Sequence, residues 1–382
     1  MTGTAPTLLC VHQGYELYGS DRTFISALKG FRARFPQLRL LVVLPQAGPL
    51  SAELERLGFC VEIRALWVAR RSQGPLRLLA RMLLFPLAVL RARRHIEASA
   101  LTYINTSVIF DYALAARLSR RPVLLHVHEI PTGLAMRLIR LALALSGARL
   151  VYNSQATRDA FGLEGAVVLN GIPDPGPPPP APASDGILNI LMIGRINDWK
   201  GQDLLVEAVA ALPADTRGKM RLRFAGSAFA GNASETRLLA QLRDRQLEEI
   251  TRLDGFVDDP APLYRWADIV AVPSRKPEPF GLVAVEAMAH GKPVLAAAHG
   301  GLTEILEDGQ TGWLVPPNDA PALGRRLAAL AEAGEQALEM GTKGRIRFEN
   351  AFSERGFQDR LCDELDALLG HAPAPAPIGE DA

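Results

Sequence analysis

The sequence predicts an α/β protein built from two doubly wound parallel sheets, and three observations carry that prediction. The chain has 382 residues, more than one core of about 150 to 200 residues accommodates. Short runs rich in Val, Leu and Ile alternate with stretches whose apolar residues recur at helical spacing, the pattern of buried parallel strands joined by crossover helices. The alternation stops at GIPDPGPPPPAPASDG (171–186) and then begins again.

In the first half, TLLCVH, LRLLVVLP, LTYINT, PVLLHVHE and ARLVYNS read as strands, with FISALKGFRARF and IFDYALAARLSRR as helices between them. The Pro-rich segment forms neither a helix nor a central strand and reads as a stiff spacer. In the second half, ILNILMIGR, MRLRFAG, ITRLDGFV, ADIVAVPS, KPVLAAA and GWLVPP read as strands, with helices at QDLLVEAVAAL and ETRLLAQLRDRQL. The expected division is a first domain at 1–173, a linker at 174–187 and a second domain at 188–353. An amphipathic helix at 354–370 follows, then a tail (371–382) too poor in core-forming residues to fold. Two such sheets are expected to face a cleft at their strand C-termini, where open α/β sheets bind ligands.

Composition excludes several classes. Hydrophobic residues make up 48% and charged ones 22%, and no run reaches the ~18 apolar residues of a membrane-spanning helix. The first residues lack the basic region of a signal peptide. Cys10, Cys60 and Cys362 are odd in number and far apart, which suggests neither a disulfide framework nor a zinc site. A cytoplasmic chain is expected. The near-neutral total conceals an asymmetry: residues 1–170 balance at +11, the remainder at −10. The first half is therefore expected to face something anionic.

The stretch KPEPFGLVAVEAMAHGKPVL (276–295) places Glu278 and Glu286 eight positions apart. Pro279 keeps Glu278 out of a helix. A helix then starts near Phe280-Gly281 and closes at Gly291, so the carboxylates flank the free N–H groups of Gly281, Leu282 and Val283. Helix N-termini attract phosphate, and two carboxylates beside such a site read as hydroxyl acceptors, one for a ribose and one for a sugar. A capping carboxylate plus a helical Glu paired with a base is the plainer alternative. Upstream, Gly194-Arg195 ends a strand and Lys200-Gly201 precedes a helix, an arrangement suited to two oxygens of a diphosphate. Phe256 and Val257 either bracket a base or belong to the core. Asp258-Asp259 reads as a turn and helix cap.

Taken together these segments resemble the retaining glycosyltransferases of family 4. The E-x7-E element is the most specific part, supported by GRINDWKG, VYNS, VLNGIP, GFVDD, AVPS, AMAHGKPVLA and HGGLTEILEDGQTGWLVPPND. The resemblance implies the GT-B fold, with two Rossmann-like domains and the C-terminal helix crossing back to the first. It implies that Arg195 and Lys200 hold the donor diphosphate, Glu278 with the Phe280-Gly281-Leu282 backbone the donor sugar, and Glu286 the ribose. In QGYELYGSDR, Gly14, Gly19, Asp21 and Arg22 are recognisable, but Tyr18 stands where glycine is common. Gly19-Ser20 is therefore the expected phosphate or acceptor contact. His128, ending the strand PVLLHVHE, is implied to face the donor sugar. The implied catalytic set is His128, Glu278, Arg195 and Lys200, with no metal, no cofactor beyond the nucleotide-sugar substrate, and front-face attack by the acceptor. No nucleic acid is expected as a partner.

Residues 64–96 contain eight Arg, no acid until Glu97, and the run MLLFPLAVL interrupted by Pro86. This reads as a cationic segment lying on an anionic leaflet or as a core helix flanked by solvated Arg. The +11 balance favours the leaflet, and with it a lipid-linked or envelope glycan acceptor for a peripheral membrane enzyme. The competing functions are a sugar-nucleotide epimerase of the same architecture, a glycoside hydrolase using Glu278 and Glu286, and a non-catalytic sugar-nucleotide-binding protein.

Overall fold

Thirteen strands among the described residues form two sheets, and every strand pair is parallel. The computed structural model describes residues 5–68, 75–178, 186–228, 233–332 and 334–370. Residues 179–185 of the expected spacer and the whole expected tail lie outside the described residues. The chain divides into two units, Met1–Asn170 with Glu354–Ala382, and Gly171–Ser353.

The first unit runs β1 (Thr7–Val11), α1 (Gly19–Arg34), β2 (Arg39–Leu44), α2 (Pro49–Arg56), β3 (Cys60–Ile63), α3 (Pro75–Glu97), β4 (Leu101–Ile104), α4 (Phe110–Arg117), β5 (Val123–Val127), α5 (Leu134–Ser146), β6 (Arg149–Tyr152), α6 (Gln155–Phe161) and β7 (Ala166–Val167). Its strand order is β3-β2-β1-β4-β5-β6-β7. Every side chain of β4 and β5 is buried, because helices cover both faces and leave no room for alternation. Phe24, Phe31, Leu50 and Leu54 fill one face. Val89, Ile96, Tyr112, Ile139 and Leu143 fill the other.

The second unit runs β8 (Leu188–Ile193), α7 (Gln202–Ala210), α8 (Ala214–Gly218), β9 (Met220–Ala225), α9 (Ser234–Asp244), β10 (Thr251–Gly255), α10 (Ala261–Trp266), β11 (Ile269–Val272), α11 (Leu282–Ala289), β12 (Val294–Ala297), α12 (Leu302–Ile305), β13 (Gly312–Val315), α13 (Ala320–Glu332) and α14 (Gly334–Ala351). The order is β10-β9-β8-β11-β12-β13. The last helix, α15 (Glu354–Leu369), buries Phe357, Leu361 and Leu365 in the first unit's core beside α1.

The order reverses between β1 and β4 in one sheet and between β8 and β11 in the other. At such a switch point the connections leave in opposite directions, so the strand C-termini open onto a crevice. Two strands, β3 and β7, have no counterpart in the sequence reading. One is a half-exposed edge strand and the other has two residues. Pro86 also does not interrupt its helix: α3 continues through it to Glu97. A proline removes one donor and crowds the preceding turn, and α3 is anchored against this by the buried Val89, Ala92 and Ile96.

Candidate functional site

In the second unit, the loop after β8 carries Gly194, Arg195 and Lys200. Asn197 Oδ1 shapes it by accepting from the N–H groups of Trp199 and Lys200, at 3.1 and 3.0 Å. Gly201 has φ +89°, and a Cβ there would stand 2.1 Å from the Pro273 carbonyl, so only glycine lets this loop approach the end of β11. The approach brings Lys200 Nζ to 2.7 Å from Glu278 Oε1, which also accepts from Ser274 Oγ at 2.5 Å.

Glu278 is 4% exposed. Its backbone is fixed too: Gly301 N–H donates to its carbonyl at 2.8 Å. A Cβ on Gly300, at φ +61°, would lie 2.3 Å from that same oxygen. Both donors reach Oε1, and Oε2 accepts from no described residue. A buried carboxylate with a counter-charge on one oxygen and the other open is a preorganised acceptor for a ligand hydroxyl.

Helix α11 begins four residues later, with Gly281 at its N-cap. Within the helix the first N–H to find a backbone partner is that of Ala284, which leaves those of Gly281, Leu282 and Val283 for an anion. Glu286, one turn further on and half-buried, accepts from Tyr264 Oη at 2.7 Å. Arg195 is half-exposed at the end of β8. Phe256, 51% exposed, follows β10, so the core alternative fails for it; Val257 beside it is half-exposed. Asp259 Oδ1 accepts from Ala261 N–H at 3.0 Å, forming the turn that leads into α10, whose N-cap is Pro260.

The first unit gathers a second cluster at its own switch point. His12 follows β1, Asn105 follows β4 and His128 follows β5. A self-consistent hydrogen arrangement runs through the network. His128 Nε2–H donates to Asn105 Oδ1 at 2.7 Å, and Tyr103 Oη–H donates to the same oxygen at 2.6 Å. Asn105 Nδ2 then points to His12 Nδ1 at 3.1 Å, and His12 Nε2–H donates to Asp21 Oδ1 at 2.8 Å. His126 Nδ1–H donates to Tyr103 Oη at 3.0 Å. In this arrangement His128 carries its proton on Nε2 and Nδ1 keeps its lone pair. Glu129 ties three strand ends together, accepting from Gln13 Nε2, Thr106 Oγ1 and Ser107 Oγ at 3.0, 2.7 and 2.8 Å. Gly19 and Ser20 form the first turn of α1 rather than a loop, with Asp21 Oδ2 accepting from Tyr18 N–H at 3.0 Å.

Burial lowers the pKa of His126 to about 3 and carries His128 well below the usual imidazole value, with neighbouring His126 and His12 adding to the effect. The unfolded chain protonates both below about pH 6.5, whereas the folded chain does not. The stability they contribute is therefore complete above that pH and is lost as pH falls, by about 2 kcal/mol for His126 at about pH 5. Urea unfolding at about pH 7.5 and about pH 5 tests this, and His126→Asn should flatten part of the loss.

Ser274, Tyr264, Asn105, His12 and Asp21 were not singled out as site residues from sequence. The available signal for Asn105 and Ser274 was a polar residue within two positions of the end of a short strand run, as in LTYIN and IVAVPS.

A model of the glycosyl transferases group 1 family matches residues 182–347. The D-inositol 3-phosphate glycosyltransferase of Corynebacterium aurimucosum is 37% identical over 158 residues, 40% of this chain and 37% of that one. The putative colanic acid biosynthesis glycosyltransferase WcaL of Escherichia coli is 31% identical over 206 residues, 50% and 48% of the two chains. The chain spans about half the length, or less, of the curated relatives it matches. The crystal structure of Anabaena HepE in complex with UDP and glucose superposes with a TM-score of 0.78 at 26% identity, covering 95% of this chain and all of that one. Sucrose-phosphate synthase from Thermosynechococcus elongatus superposes at 0.74 with 20% identity, covering 96% and 100%, a likeness of fold. Residues 182–347 are thus similar to the group 1 glycosyltransferases, and the two-sheet architecture is that of the GT-B fold.

Proposed function

We propose that the protein is a retaining, metal-independent glycosyltransferase that moves a hexose from a nucleoside-diphosphate sugar to a hydroxyl on a lipid-linked or envelope glycan precursor. The observation that carries this reading is Glu278, buried with Lys200 on Oε1 and Oε2 open, immediately before the unpartnered N–H groups that start α11. In this reading Oε2 accepts from a hydroxyl of the donor sugar, the α11 N-terminus and the Lys200 and Arg195 cations hold the diphosphate, and Glu286 takes the ribose diol. Phe256 and Val257 bracket the base. HepE has been solved with UDP and with UDP-glucose, which makes a uridine donor the first choice.

The acceptor hydroxyl attacks the anomeric carbon on the face the diphosphate leaves. The new C–O bond forms as the carbon–phosphate oxygen bond breaks, and the departing oxygen takes the hydroxyl proton. Negative charge grows on the diphosphate, where fixed cations and N–H dipoles lower the barrier most. Positive charge grows on the sugar, where the lone pair of neutral His128 is the matching group. Gly19 and Ser20, at the start of α1, supply further N–H donors. Support for a lipid-borne acceptor comes from the basic segment, where a cavity of about 730 Å³ is lined by Arg64, Trp67, Leu84, Leu87, Arg91 and His95. Cations beside apolar walls suit an anionic amphiphile, and a cytoplasmic enzyme peripheral to the membrane would meet one.

Calorimetry against UDP-, GDP-, ADP- and dTDP-sugars tests the reading, with UDP-glucose expected to bind. Glu286→Ala should weaken nucleotide affinity about tenfold, the loss of charge-assisted hydrogen bonds. Glu278→Ala should leave nucleotide affinity intact and impair turnover. Binding of none of these donors would overturn the activity, and unchanged UDP affinity in Glu286→Ala would overturn the division between the two carboxylates.

A further inference from the structure

Among the described residues sixteen large apolar side chains are exposed, and eleven of them stand on one layer of the first unit: five on α3, Leu114 on α4 with Leu118 directly after it, and four on α5. These helices pack side by side against one face of the sheet through a shared core. The most regular set is on α5. Leu134, Leu138, Leu141 and Leu145 follow at spacings of four, three and four, and they are 70%, 50%, 56% and 52% exposed. The opposite side of α5 buries Ile139 and Leu143. A helix apolar on both sides normally has both sides covered, and here nothing described in the chain covers the outer one.

The charge around this layer has one sign. From Pro75 to Arg149 the sequence holds eleven Arg, no Lys and three acids. Of the acids, Asp111 is buried and Glu129 is committed to the strand-end network. Arg91, Arg94, Arg117, Arg137 and Arg140 are exposed between or beside the leucines. A second copy of the chain docking by the same face would bring arginine onto arginine. A surface of leucines ringed by arginines is complementary to an anionic lipid leaflet, with the leucines entering the acyl boundary and the guanidinium groups meeting phosphates.

We infer that the outer face of α3, α4 and α5, with the α5 leucine row as its apolar ridge, is a docking surface for an anionic membrane leaflet. The expectation drawn from the sequence put the membrane contact on residues 64–96 alone. Two further helices now carry it, and the inference rests on the reading that the acceptor is lipid-borne. Docking by this face brings the enzyme to the surface where that acceptor resides.

The test is co-sedimentation of the full chain with phosphatidylcholine vesicles with and without phosphatidylglycerol. Binding is expected only to the anionic vesicles, weakening as salt rises. L138E/L141E should lower the partition coefficient about tenfold or more, given the apolar area withdrawn, and R117E/R137E should lower it and flatten the salt dependence. All four side chains are exposed, and calorimetry with UDP on the same variants should give wild-type affinity, which separates failure of this inference from failure of the donor reading. Absence of binding to anionic vesicles, or L138E/L141E binding like the wild type, would overturn it. So would a solution dimer that L138E/L141E dissolves in a chain that ignores vesicles.

Discussion

Lys200→Ala is expected to lower turnover about a thousandfold, the scale seen when one preorganised stabilising group is removed from a site, and to destabilise the second unit by about 3 kcal/mol. Both effects come from one contact. Glu278 is 4% exposed and Lys200 Nζ stands 2.7 Å from its Oε1. Without the ammonium, a carboxylate taken out of water keeps only the 2.5 Å hydrogen bond from Ser274. A buried charge stripped of its partner costs far more than the intact pair contributes. In the proposed reading the donor diphosphate would lose a cation at the same time, at the stage where its charge is growing.

The two effects separate in a double variant. Lys200→Met with Glu278→Gln removes both charges, so the stability loss should largely disappear while turnover stays at the level of the single variant. Urea unfolding and steady-state turnover with UDP-glucose give the two readings. A Lys200→Ala protein that unfolds like the wild type and turns over normally would show that the pair is ordinary loop decoration.

That pair also shows where sequence reading stops. All six strands of the second sheet were legible, five as runs of four to six mostly apolar residues, as in IVAV and VLAA, and the edge strand TRLDG only through its place in the alternation. The helix between Gly281 and Gly291 was legible from its glycine and proline punctuation. Lys200 and Glu278 are 78 residues apart, and nothing local announces that they touch. They meet because β8 and β11 are neighbours in the sheet, and strand order is not written in any short stretch. The same holds for His12 and Asn105, 93 residues apart and joined because β1 lies beside β4. The α5 leucine row escaped for a different reason. LAMRLIRLALALS is apolar on two opposite sides with Arg137 and Arg140 on a flank between them, so its periodicity does not say which apolar side faces out.

The strand-end network of the first unit leads to the second large effect. His128→Ala is expected to lower turnover about a hundredfold, the lower end for a positioned imidazole, and Asn105→Ala about tenfold. Asn105 is proposed as a positioning residue acting through His128. Its Oδ1 accepts from His128 Nε2–H at 2.7 Å, and its Nδ2 points to His12, which Asp21 holds in turn. With the amide oxygen toward both Tyr103 and His128, the His128 proton sits on Nε2. If Asn105 matters only through that tautomer, the loss in the double variant should equal that of His128→Ala alone, because effects of residues acting as one unit do not add. Asn105→Asp supplies a readout that a purely structural role would not move. A carboxylate beside His128 favours the imidazolium and raises its pKa, and an enzyme that needs the neutral ring then loses activity as pH falls through the raised value. The wild type, whose His128 titrates well below the usual imidazole value, should hold its turnover across the same range. A pH profile of Asn105→Asp that overlays the wild type, or a double variant whose losses multiply, would separate Asn105 from His128. It would leave Asn105 with a role in joining β1 to β4 alone.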